Sequence, residues 1–141
     1  MTVAPDTFVP PTNEEHRRHR TYQALFHLGD RHGATTEARA RAAGGVMVTP
    51  YEAVRLVELL AAGSLTYEAD EPAIDGDDLT AALTLMPLVR AELDETELGL
   101  LIMARGRGMT WEQIAYGLGL GSAQAAKQRH DRLARRVQED P

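Results

Sequence analysis

The chain has 141 residues, 43% hydrophobic and 26% charged side chains, and a formal charge of −6 at pH 7, the profile of one globular domain or two very small ones rather than a large catalytic scaffold. It has no cysteine, which excludes disulfides and thiolate metal or iron–sulfur sites, and its few aromatics leave the core to Leu, Val, Ile, Met and Ala, favouring an all-α helical bundle. No apolar run approaches the roughly 20 residues of a membrane helix, and Met1 to Asp6 lack the basic-then-apolar order of a secretory signal, so the expected location is cytoplasmic and nucleoid-associated, with no membrane partner.

Residues 1–12, with Pro5, Pro10 and Pro11, read as a flexible tail. Residues 13–63 read as an N-terminal helical region. Thr12 or Asn13 caps a helix starting at Glu14-Glu15, Tyr22, Leu25 and Phe26 form its apolar stripe, and Gly33 ends it. An Ala-rich, exposed piece through Glu37 to Arg41 stops at Gly44-Gly45. Thr49-Pro50-Tyr51-Glu52 is a helix start, because Thr49 can accept from the Glu52 amide and Pro50 sits where its missing N–H costs nothing. Ala53 to Leu60 supply an apolar face and Gly63 a stop.

Residues 64–77, with five acids, Pro72 and Gly76, read as an acidic linker. Asp77 or Asp78 then opens a helix, Leu79 to Leu93, apolar on most of its circumference and kinked at Pro87. Such a helix needs cover on more than one side, which in a short chain points to a homodimer. Asp94-Glu95-Thr96-Glu97 places acids at the positive end of a further helix carrying Leu98, Leu101 and Ile102, closed by Gly106 and Gly108.

The net charge hides its distribution. Residues 1–50 carry +1, residues 51–100 carry −10 and residues 101–141 carry +3, with five bases and one acid between Lys127 and Arg136. In that C-terminal part Thr110 and Gln113 form a capping box, Ile114, Ala115 and Leu118 face inward, Gly119-Leu120-Gly121 makes a tight turn, and Ser122 caps a second helix. Two short helices joined in this way form a helix-turn-helix. Rotating about 100° per residue from an inward Ala126, Gln124, Gln128, Asp131 and Arg135 point outward, with Lys127 and Arg132 flanking them. Gln can read adenine, Lys or Arg can meet guanine or phosphate, and Asp can accept from cytosine or pair with an Arg.

Residues 78–137 resemble the C-terminal part of small actinobacterial helix-turn-helix DNA-binding regulators. The resemblance rests on Leu79 to Leu85, Glu97-Leu98, the Arg107 to Ala115 stretch and Ser122 to Leu133. The four-helix arrangement is similar to the promoter-reading region 4 of bacterial sigma factors, although the turn is one residue longer than in the commonest pattern. Residues 78–141 are accordingly expected to be a helix-turn-helix DNA-binding domain.

The function expected is a sequence-specific transcriptional regulator that reads the major groove of double-stranded DNA with the helix starting at Ser122. Ser122, Gln124, Lys127, Gln128 and Asp131 would face bases, while Thr110, Arg132 and Arg135 would hold phosphates. The competing reading is a sigma-like interaction module that docks on RNA polymerase or another regulator through the acidic centre. Arg17, Arg18 and Arg20 with His16 and His19 read as a solvated face, with a phosphate-contacting arm as the sharper alternative. Trp111 reads as a packing anchor; Arg105 and Arg107 as loop contacts to DNA or solvated charges. His16 with His19, and His27 with His32, lack a carboxylate or cysteine motif that would complete a metal set, so no metal or cofactor is expected. No nucleophile triad or phosphate loop is present, and an enzyme is not expected.

Overall fold

The computed structural model describes residues 13–39, 41 and 49–139. The expected tail and the Gly44-Gly45 stop lie outside them. Six helices and no strand are found among the described residues: α1 (Asn13–His32), α2 (Thr36–Arg39), α3 (Pro50–Ala61), α4 (Gly76–Gly106), α5 (Trp111–Leu118) and α6 (Ala123–Glu139). The chain divides into two compact units between Pro87 and Leu88, inside α4. The two helices expected on either side of Asp94 are one helix of 31 residues. Nothing in Asp94 to Glu97 breaks a helix, since acids mark an N-terminus only where the backbone amides are unpaired.

In the N-terminal unit, Ala24 and Leu28 of α1, Ala53 and Val57 of α3, and Ala81, Ala82 and Leu85 of α4 form the apolar core, with Leu25, Val54 and Ile74 packed against it. The aromatic stripe expected on α1 is not the buried one. Tyr22 is 72% and Phe26 77% exposed, while Ala24, Leu28 and His32, four residues apart, face inward. A small residue at Ala24 lets helices approach closely, and this contact sets the roll of α1 over the bulk of its aromatics. Thr49 caps α3 by accepting from the Glu52 amide at 3.1 Å, with Pro50 in the first turn. Gly63, at φ +77°, ends it while the Ser64 amide returns to the Leu59 carbonyl at 2.9 Å.

Beside this apolar core lies an ionic one. α4 begins with a reciprocal pair in which the Asp75 side chain accepts from the Asp78 amide and the Asp78 side chain from the Asp75 amide, both at 3.0 Å. Asp78 is fully buried. It accepts from Arg31 Nε at 2.7 Å and Nη2 at 3.0 Å, and His27 Nε2 lies 2.9 Å away. Glu71, almost as buried, takes both Nη atoms of Arg41, at 2.7 and 2.8 Å, and the Glu68 amide at 2.8 Å. His32, 1% exposed, stands between the two carboxylates, with Nδ1 2.7 Å from Glu71 and Nε2 3.4 Å from Asp78. Burial pushes the Glu71 carboxyl up, but the bonds from Arg41, the Glu68 amide and His32 outweigh it and hold it at about 2. For Asp78 too burial raises the pKa, and the bonds from Arg31, the Asp75 amide, His32 and His27 bring it well below the ordinary carboxylate range.

The stretch 64–77, expected to be a solvated acidic linker, is therefore folded onto α1 through Glu71 and Asp75. Likewise, the piece following Gly33 is only a four-residue α2, and Arg41 beyond it is drawn in by Glu71 rather than left in water.

Candidate nucleic-acid interface

The C-terminal unit builds its surface on a small, wholly apolar core. Leu101 of α4, Ile114 and Ala115 of α5, and Ala126 and Leu133 of α6 are buried together, with Leu98, Ala104, Trp111 and Leu120 against them. Ala115 and Ala126 are small where α5 and α6 pack, so the two helix backbones can come close. The ends of α5 are fixed by its sequence. Thr110 Oγ accepts from the Gln113 amide at 3.1 Å, and Gln113 Oε1 accepts from the Thr110 amide at 2.9 Å, the reciprocal box expected. At the other end Gly119 adopts φ 70°, ψ 24°, and the Leu120 amide returns to the Ala115 carbonyl at 2.8 Å. Leu120 is thereby turned back against the core. Ser122 then caps α6, its Oγ accepting from the Ala125 amide at 3.1 Å.

With Ala126 and Leu133 inward, the opposite face of α6 carries Gln124, Lys127, Gln128, Asp131, Arg132 and Arg135, all exposed. Asp131 is oriented on both sides, by His130 Nδ1 at 3.0 Å from its carboxylate and by Arg135 Nε donating to its carbonyl at 3.4 Å. The sequence-predicted residues thus fall into two groups. Six side chains form one polar surface along α6, whereas the Thr110 and Ser122 hydroxyls are engaged in caps at the helix starts.

Two basic residues of α6 turn away from that surface. Arg129 forms a bidentate bridge to Glu97 of α4, Nε to Oε1 and Nη2 to Oε2, both at 2.8 Å, and Arg136 Nη1 lies 3.4 Å from Asp94. The hydrogen bonds and charge of Glu97 raise the Arg129 pKa above the ordinary guanidinium value. The sequence reading counted these two arginines in the basic run without finding their acids. The available signal was the pairing of Asp94 and Glu97, three residues apart on one helix, with Arg129 and Arg136, seven apart on another.

Trp111 is half-buried, its ring 5.5 Å edge-on from His130, with the Arg105 guanidinium 4.9 Å from its centre. Arg105 also donates to the Met109 carbonyl at 2.8 Å, so it braces the turn before α5, while Arg107 is exposed. On α1, the first-turn basic residues are exposed, with Arg18 paired to Glu14 at 2.9 Å and Arg17 Nε donating to the Asn13 carbonyl at 3.4 Å.

In the N-terminal unit, ligand atoms of His27, Asp75 and Asp78 lie within 4.8 Å of one another, a grouping of residues 47 or more positions apart that sequence spacing could not reveal. The Arg31 guanidinium reaches both carboxylates and supplies their positive charge. Among the described residues no helix is long and apolar enough to cross a membrane. No protein-family model, curated protein or solved structure matches the chain.

Proposed function

We propose that the protein is a sequence-specific DNA-binding transcriptional regulator in which α5, the Gly119 to Ser122 turn and α6 form a helix-turn-helix. α6 enters the major groove. The observation that carries this reading is the division of α6 into an apolar face closed by Ala126 and Leu133 and an opposite exposed face of Gln124, Lys127, Gln128, Asp131, Arg132 and Arg135. Gln, Lys and Arg offer the donors that base edges and phosphates accept. In this reading Gln124, Lys127, Gln128 and Asp131 reach bases, Arg132 and Arg135 hold phosphates, and Thr110 and Ser122 orient helix-end amides toward the backbone.

A single small reading head binds weakly, and the regulator acts as a homodimer presenting two heads about one helical turn of DNA apart. Exposed Leu83, Leu93, Leu100 and Met103 on α4 are the apolar surface that supports pairing. The test is a salt-titrated duplex-binding assay on wild type and on Lys127→Ala/Arg135→Ala. The double variant should bind more weakly, and its log K against log salt should flatten by about 1.8, from 0.9 per lost phosphate contact. Equal binding by the two proteins would remove α6 as the reading helix. The rival reading, docking on RNA polymerase through the acidic centre, is weakened by the burial of Glu71 and Asp78 against arginines, which leaves those charges unavailable to a partner.

A further inference from the structure

The five basic residues of α6 are not equivalent. Lys127, Arg132 and Arg135 point outward, whereas Arg129 and Arg136 lie on one flank, about 60–80° from the inward direction, each facing an acid of α4. The Arg129 bridge uses both carboxylate oxygens and two guanidinium nitrogens, so that edge of the fork is already filled. A phosphate approaching this flank meets an arginine carrying its own counterion, and meets the negative charges of Glu97 and Asp94 behind it.

Resting on the DNA-reading proposal above, we infer that Glu97, seconded by Asp94, is a specificity-determining positioning residue: it withholds Arg129 from phosphate and fixes the roll of α6. The physical consequence is selective. Binding to any duplex grows with each arginine released to the backbone, while discrimination between sequences depends on the angle at which Gln124, Gln128 and Asp131 meet the base edges. An acid that holds Arg129 against α4 suppresses the first and supports the second. His130 acts on the same helix from the other flank, packed edge-on to Trp111 and bonded to Asp131, so α6 is clamped on both sides of its buried stripe.

The test uses the full chain, a duplex enriched from a random pool, and a random-sequence duplex of equal length. In Glu97→Gln, binding to the random duplex should strengthen and its salt slope steepen by about 0.9, the increment for one added phosphate contact. The ratio of enriched to random affinity should fall by about tenfold, the discrimination of one displaced base contact. Asp94→Asn, with the longer and more exposed bridge, should move both in the same direction by less. In Glu97→Gln/Arg129→Gln the extra slope should vanish, because its source is the freed arginine. Arg129→Lys, which keeps the charge without the fork, should lower the affinity ratio.

A purely structural role predicts something else: parallel loss of both affinities with a lower melting temperature. That outcome would overturn the inference, as would an unchanged slope and ratio in Glu97→Gln, or an extra slope that persists without Arg129. Failure of the wild type to bind any duplex at low salt would instead overturn the DNA reading itself.

Discussion

The two units handle charge in opposite ways. The N-terminal unit takes it inside: Glu71 and Asp78 are buried and matched by Arg31 and Arg41, with His32 between them. The C-terminal unit keeps its core apolar, from Leu101 to Leu133, and places charge outside. A buried ion pair contributes little net stability over an apolar pair but is costly to break, so it specifies one arrangement of the loop and helix that hold it. An apolar core of small and branched residues leaves every outward position of α6 available for recognition. The difference teaches where to look for a ligand: charges already satisfied inside a fold belong to its architecture, and those left exposed on a rigid helix are available for binding.

Acid should break the comparison most strongly. Glu71 and Asp78 both hold protons less readily folded than unfolded, so their stabilisation is complete above the ordinary carboxylate pKa. It is lost as pH falls from the unfolded value of 4.5 toward about 2 for Glu71, and continues to fall below that as Asp78 protonates. Circular dichroism or amide exchange across this window should show the N-terminal unit loosening before the C-terminal one. Retention of its protection at pH 2 would contradict the buried network.

Single changes follow in decreasing order. Asp78→Ala leaves Arg31 without its main partner and should cost about 3–5 kcal/mol in denaturant unfolding. Leu133→Ala opens the C-terminal core and should cost about 2–4 kcal/mol. Gly119→Ala should cost about 1–2 kcal/mol, because the position requires a left-handed backbone even though a Cβ there would meet nothing within 4 Å. Lys127→Ala/Arg135→Ala should change stability by less than about 0.5 kcal/mol per site. If that pair is as destabilising as Leu133→Ala, the outer face of α6 is part of the scaffold and the contrast between the units disappears.

The C-terminal unit was the more legible in sequence. Thr110 with Gln113, Gly119 and Ser122 act through hydrogen bonds and backbone angles spanning only a few residues, so their roles can be read locally. The spacing of Ala126 and Leu133 in turn sets the outer face of α6. The N-terminal unit was less legible, because its decisive contacts join residues far apart: Arg31 to Asp78, Arg41 to Glu71, His32 to both acids. A run of acids reads as solvated unless its cations are seen. Similarly, Tyr22 and Phe26 looked like the core face of α1 until Ala24 and Leu28 were seen to take it.

Sequence alone determined that the chain is helical, where α3, α5 and α6 begin, and which side of α6 is polar, since caps, turn glycines and apolar spacing are local properties with fixed geometry. Tertiary structure decided that α4 is a single helix, that the acidic stretch is folded rather than solvated, and that Arg129 and Arg136 are already paired. The physical reason is the same in each case. The environment of a charge depends on its neighbours in space, and sequence spacing specifies those only within a turn or two of helix.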